Sequence, residues 1–231
     1  MGLWLILNFS VLLAAYILGS IPTGYSVAKW VLGIDLREFG SGSTGATNVL
    51  RTLGKWPALG VLLVDVLKGI AAISLTRYIY SLDSTAQLAA TAGIKEITVV
   101  LPWMATLAGL TAVLGHSKSI WLGFSGGKSV ATSLGVLLGL YWPVGLGTFG
   151  IFGLVLAISR IVSLSSIIAA IGVSGLMFAF GQPLAYQLFG IAGGVFVIVR
   201  HRANIQRLLN GTEPKIGEKL ASESEQGLEG N

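Results

Sequence analysis

Cysteine is absent from the 231 residues, which excludes a disulfide framework and any Cys-based zinc or redox site. Charge is scarce too. Asp, Glu, Lys and Arg make up 11% of the chain, against about 25% in a soluble domain. The opening, MGLWLILNFSVLLAAYILGS, has no basic stretch ahead of its apolar run, and that run is too long for a signal peptide. It is expected to remain as a first spanning helix. What the chain does have is hydrophobic length: 53% of its residues are apolar, and several uncharged runs reach the roughly 20 residues a helix needs to cross the hydrocarbon core. The expectation is an all-α, polytopic membrane helix bundle. A net charge of +5 could suggest nucleic acid, but the cations are distributed otherwise, and no nucleic-acid partner is expected.

The first helix is expected from about Leu3 to Ser26 and the second from Pro57 to Tyr80, with Pro57 suited to a first turn. ITVVLPWMATLAGLTAVLG forms the third. The uncharged run from Ser129 to Ser159 divides at Tyr141–Pro143 into a fourth and a fifth, both compressed. The run from Ile161 to Val199 divides at Gly181–Pro183 into a sixth and a seventh. Seven spans put the termini on opposite faces. The basic tail then sets the C-terminus in the cytoplasm and the N-terminus outside. With that parity, Lys29, Arg37, Arg51, Lys55, Lys118, Lys128, Arg160, Arg200, Arg202, Arg207, Lys215 and Lys219 fall inside. Arg77 and Lys95 fall outside, and Lys68 lies within a span. Residues 1–208 read as a single membrane-embedded domain, and residues 209–231 as a polar, flexible tail. The Gly-rich, Ser-rich and basic loops then meet at the cytoplasmic face.

Four catalytic signatures almost fit. Gly123–Gly127 matches G-x-S-x-G, but a nucleophile elbow needs a strand-to-helix turn and later acid and His partners, and no carboxylate follows before the tail. GFSGGKS resembles a phosphate-binding loop one residue short. Its physics survives the failed match: small residues open the backbone, Lys128 adds charge, and a helix begins there. Ser129 is suited to cap that helix. Gly40–Gly45 matches G-x-G-x-x-G without the βαβ unit the fingerprint requires. Even so, its glycines and hydroxyls, with Thr47, Asn48 and Arg51 beyond, suit a phosphate. His116 opens GHSKSIW, but Trp121 stands five residues on, where H-x-x-x-x-D acyltransferases carry an orienting acid. A structural hydrogen bond is expected of His116. Asp65 and Lys68, three apart inside a span, are expected to pair with each other in support of the site. Two anion-suited loops, RIVSLSS (Arg160–Ser166) and RHRANIQR (Arg200–Arg207) converge on one face.

FGSGSTGATNVLRTLGK (Phe39–Lys55), GHSKSIWLGFSGGKSVATSLG (Gly115–Gly135), RIVSLSS, DVLKG (Asp65–Gly69) and RHRANIQRLLNGTEPKIG resemble, in order, motifs of the bacterial acyl-phosphate:glycerol-3-phosphate acyltransferases. The likeness runs to about Gly217. The chain departs from the family pattern at Ser43 (usually Asn), Lys118–Ser119 (usually Phe-Pro) and Ser129 (usually Gly). The resemblance implies transfer of a fatty acyl group from acyl phosphate to the 1-hydroxyl of glycerol 3-phosphate, at the inner membrane and on its cytoplasmic side. It implies direct transfer with no acyl-enzyme, cofactor or metal, by a chain functional as a monomer among membrane lipid. Gly126, Gly127 and Lys128, with Ser41, Gly42, Thr47 and Asn48, are then expected at the acyl phosphate. Arg51, Lys128, Ser166, His201 and Asn204 are expected at glycerol 3-phosphate and Ser163 beside a substrate, while the departing phosphate or, as the alternative, His201 is expected to take the proton of the attacking hydroxyl. The other reading is a small transporter or flippase for a phosphorylated solute, which would want polar residues at the bilayer midplane; only Asp65 and Lys68 qualify.

Overall fold

The structure, a computed structural model, describes residues 1–218. Among them run eleven α-helices and no β-strand: α1 (Gly2–Ser20), α2 (Thr23–Leu32), α3 (Ala46–Leu53), α4 (Lys55–Tyr80), α5 (Asp83–Thr91), α6 (Ile97–Ser117), α7 (Val130–Leu140), α8 (Trp142–Ser159), α9 (Val162–Ala179), α10 (Leu184–Arg200) and α11 (Arg202–Leu209). The all-helical membrane architecture expected from composition is therefore present.

Five apolar segments are long enough to cross a bilayer: α1 with α2, α4, α6, α8 and α9. A sixth appears if α10 and α11, bent by 62° at His201, are taken together. The first expected span is interrupted at Ile21–Pro22, where proline has no N–H to continue the helix, and α2 carries it on to Leu32. The helix expected at 129–140 is present, but its 11 residues cover only about 16 Å, half the hydrocarbon thickness. Its C-terminal end is tied to α4 by Arg77, whose Nη2 donates to the Leu140 carbonyl at 2.7 Å.

Two glycine-mediated crossings hold the bundle. A Cβ on Gly69 would overlap the Thr132 carbonyl, and one on Gly135 would overlap that of Val66, so α4 and α7 touch backbone to backbone. Gly19 and Gly115 do the same for α1 and α6, against Ala112 and Tyr16. In lipid, such small-residue seams replace the hydrophobic drive between helices. The α4–α7 contact also sets depth. Val66–Gly69 lie more than ten residues into α4, roughly 15 Å from its start. The loop that leads into α7 therefore dips into the bundle.

The tail expected at 209–231 departs from a uniformly solvated chain. Residues 219–231 lie outside the described residues, but Glu213 is buried, and the Ile216 N–H donates to the Arg160 carbonyl at 2.8 Å. Three hydrogen-bond donors around Glu213 draw it inward, as described below.

Candidate active site

Four helices begin at one cavity. Gly45, Ser129, Ile161 and His201 precede α3, α7, α9 and α11, and none caps its helix through its side chain. The first-turn residues Ala46, Thr47, Val130, Ala131, Val162 and Ser163 line a polar cavity of about 130 Å³. First-turn amides have no partner within their own helix, and the helix dipole places partial positive charge there. The ends of α3, α7 and α9 thus aim donors into one space, a ready-made anion site.

Side chains add to it. Thr47 and Arg51 share a face of α3 at i, i+4, as Ser163 and Ser166 do on α9 at i, i+3. Ser41, Thr47, Asn48, Arg51, Lys128, Ser163, Ser166, His201 and Asn204 all border the cavity. Lys128 Nζ donates to Asn204 Oδ1 at 2.6 Å. Burial pushes the Lys128 ammonium down to about 8, helped by the charges of Arg207, Arg51 and Arg200 and opposed by Glu213. His201 Nδ1 meets the Val197 carbonyl at 2.7 Å. A carbonyl only accepts, so Nδ1 carries the proton and the neutral ring leaves Nε2 with the lone pair.

Three glycines expected at the substrate, Gly42, Gly126 and Gly127, lie beside residues that line the cavity rather than lining it themselves. Gly42 sits in a left-handed turn at φ 66°, between Ser41 and Ser43 of the cavity wall. Gly126 and Gly127 pack against His116: a Cβ on Gly126 would overlap the His116 carbonyl, and one on Gly127 its imidazole. The Gly127 N–H donates to that carbonyl at 3.2 Å, so it does not point at a ligand. Both glycine carbonyls accept from Arg200 Nη2, at 3.4 and 3.1 Å. The glycines allow close packing under Lys128, and the amide end of α7 provides the cradle.

Asn48 is likewise engaged. Its Oδ1 accepts from the Ser41 N–H at 2.9 Å, and its Nδ2 reaches the carbonyls of Leu36, Phe39 and Ser43. It gathers the Gly40–Gly45 loop and sets Ser41 at the rim. Ser129 does not cap α7: at φ 64°, its hydroxyl donates to the Val113 carbonyl at 2.8 Å and meets Ser117 Oγ at 2.9 Å. Ser163 also does not cap α9. Its hydroxyl donates to Glu213 Oε1 at 2.7 Å, while Ser166 donates to the Val162 carbonyl at 2.8 Å.

Three wall residues were not expected at the substrate. Glu213 accepts from Ser163, from Asn204 Nδ2 at 2.6 Å and from Arg207 Nε at 2.7 Å. Burial alone would raise its carboxyl, but these hydrogen bonds hold it below the usual range. Its place within the last motif, GTEPKIG, was the only sequence signal. Asp65 and His116 form the inner wall. Asp65 pairs with Lys68 at 2.9 Å, as expected, and the same Oδ1 stands 3.7 Å from His116 Nδ1. At that distance Asp65 does not provide the structural hydrogen bond expected of His116, although a carboxylate from another helix does face its ring.

The polar cavity adjoins an apolar one of about 330 Å³, with Thr47 and Ser166 among the walls they share. Leu59, Leu134, Phe152, Phe189 and Val197 line it. Along α9 it runs from Val162 to Val173, about 16 Å. An anion site thus adjoins a slot for a hydrocarbon chain. Among the described residues no group of His, Asp and Glu is placed to hold a metal.

Residues 9–211 match the family model described as glycerol-3-phosphate acyltransferase. A glycerol-3-phosphate acyltransferase of Trichodesmium erythraeum is 60% identical over 220 residues, covering 95% of this chain and 96% of the relative. One from Nostoc sp. is 62% identical over 226 residues, covering 98% and 99%. The chain is also similar to crystal structures of PlsY (YgiH), an integral membrane glycerol 3-phosphate acyltransferase. Its glycerol 3-phosphate form gives a TM-score of 0.77 at 38% identity, covering 91% of this chain and 96% of that one. The lysophosphatidic acid form gives 0.74 at 36%, covering 91% and 95%.

Proposed function

The chain belongs to the glycerol-3-phosphate acyltransferase family, and from that premise we propose that it takes its fatty acyl group from an acyl phosphate. The 1-hydroxyl of glycerol 3-phosphate accepts the group, and lysophosphatidate and inorganic phosphate are the products. The observation that carries the donor assignment is the convergence of three helix N-termini with Arg51 and Lys128 at the mouth of an apolar slot. A mixed anhydride of a fatty acid and phosphate needs an anion site and a chain slot side by side, and glycerol 3-phosphate needs a second anion position beside the first.

Arg51 grips the phosphate of glycerol 3-phosphate through its planar fork, with Lys128, Ser166, His201 and Asn204 around it. Thr47, Ser41 and the amide end of α7 hold the acyl phosphate, whose chain lies in the slot. The hydroxyl oxygen attacks the acyl carbonyl carbon and forms the ester. The bond from that carbon to the phosphate oxygen breaks, phosphate leaves with the electron pair, and the hydroxyl proton passes to it. No acyl-enzyme forms. Alignment of the two substrates supplies on the order of 7–11 kcal/mol, and donors to the developing oxyanion roughly 3–4 kcal/mol each.

The reading extends to topology: seven membrane-embedded helices, with α7 the shortest, an outer N-terminus, and the cavity facing the cytoplasm from the inner membrane. Residues 1–208 form the catalytic unit, supplemented by Glu213, and a single chain suffices for activity. The deciding assay gives the purified protein glycerol 3-phosphate with palmitoyl phosphate, palmitoyl-CoA or palmitoyl acyl carrier protein in turn. Lysophosphatidate with equimolar phosphate should form from the first alone. Turnover with either thioester at a comparable rate would overturn the donor assignment.

A further inference from the structure

Three buried ionisable groups stand behind the anion cavity: Asp65 and Lys68, one turn apart on α4, and His116 in the last turn of α6. Lys68 Nζ lies 2.9 Å from Asp65 Oδ1 and donates to the Ile21 carbonyl at 3.1 Å, where α1 breaks. A buried ammonium needs a counter-charge, and Asp65 supplies it. That requirement does not explain the rest of the arrangement. Asp65 and His116 border the cavity while Lys68 does not, and the carboxylate oxygen that meets Lys68 also faces His116 Nδ1 at 3.7 Å.

The opposite edge of that imidazole, at Nε2, fills the space that a Cβ on Gly127 would need. The His116 carbonyl accepts the Gly127 N–H, and Ser117 donates to the Gly127 carbonyl at 2.7 Å. Gly127 is therefore seated on His116 from two directions, and the next residue is Lys128. At 3.7 Å the carboxylate acts on the ring through charge rather than a hydrogen bond, and it favours the orientation that turns Nδ1 towards Asp65. We propose that Asp65, braced by Lys68, orients the His116 ring beneath Gly127, and that this seat sets where Lys128 meets the phosphate of glycerol 3-phosphate. Asp65 and His116 are thus positioning residues. The inference rests on the reading of the cavity as a glycerol 3-phosphate site and does not depend on the donor.

Glycerol 3-phosphate binding to the full-length protein in detergent, measured by titration calorimetry, tests this without any acyl donor. A failed donor assignment therefore leaves the test intact. The double variant Asp65→Asn/Lys68→Met removes both charges and leaves no unpaired ion. If Asp65 serves only to neutralise Lys68, this variant binds like the wild type. The expected result is a wild-type melting temperature with affinity weakened ten-fold or more. His116→Asn, which keeps a donor near Asp65 but removes the ring, should weaken binding to a similar extent. In a cycle with Gly127→Ala, the added methyl should be damaging when His116 is present and far less so in His116→Ala. Binding within two-fold of wild type in a folded double variant overturns the proposal. Should that variant not fold, wild-type binding by His116→Asn, or additive effects in the cycle, overturn it instead.

Discussion

Lys128 Nζ donates to Asn204 Oδ1 at 2.6 Å, joining the loop before α7 to the first turn of α11 across 76 residues of sequence. The same Asn204 donates through Nδ2 to Glu213. The Lys128 ammonium is thus held in line by an amide that a carboxylate in turn holds.

Removing either principal cation should abolish turnover without unfolding the protein. Arg51→Ala and Lys128→Ala are each expected to lower kcat/KM by about 100-fold or more, the scale of one lost charge-stabilising donor. Circular dichroism and melting temperature should stay close to wild type. Near-normal kcat/KM in either variant would remove that residue from the site.

The pH profile should carry the signature of Lys128. Its ammonium is lowered to about 8, so it is charged and able to bind phosphate below that pH and loses its charge above it. The value of kcat/KM for glycerol 3-phosphate, which reports the free enzyme, is therefore expected to fall as pH rises through about 8. Lys128→Arg, always charged, should lose that falling limb. A limb at the same pH in Lys128→Arg would assign it to another group.

Glu213 should matter for stability as well as activity. In Glu213→Ala the donors of Ser163, Asn204 and Arg207 lose their common acceptor. Breaking one side of such a buried cluster costs about 3 kcal/mol. A clear drop in melting temperature and weaker glycerol 3-phosphate binding are expected together. An unchanged melting temperature would mean that solvent replaces the carboxylate at no cost.

The apolar slot should set chain preference. A Cβ on Gly193 would meet only the Phe189 ring, at 3.6 Å or beyond, so Gly193→Ala is expected to be tolerated. Gly193→Leu should fill the slot and depress turnover of palmitoyl phosphate relative to a shorter acyl phosphate. Competition between the two donors reads the ratio, and an unchanged ratio would place the chain elsewhere.

Much of this was legible in the sequence because bilayer physics writes plainly. Uncharged runs marked the helices, and turn residues such as Pro143 and Gly181 marked their ends. The loops that line the cavity were visible as the only places rich in glycine, hydroxyls and cations. What the sequence hid were directions. Gly127 and Asn48 look like phosphate ligands by type, but the Gly127 N–H and the Asn48 amide are engaged within the loops. Glu213 lies in a stretch whose composition reads as solvated tail, because a single buried carboxylate does not alter an average. The Asp65–His116 approach joins residues 51 positions apart, and local spacing cannot show a contact between α4 and α6. The short α7 had a visible length, but its close seat against α4, where Gly135 meets the Val66 carbonyl, was not visible.

The shared wall of Thr47 and Ser166 has a consequence for traffic. With the donor proposed above, the fatty tail would lie in the slot, out of contact with solvent, while its phosphate reaches the polar cavity. Withdrawing that tail would cost about 0.8 kcal/mol for each methylene exposed. Only the small hydrophilic partner would then have to reach the depth where α7 starts.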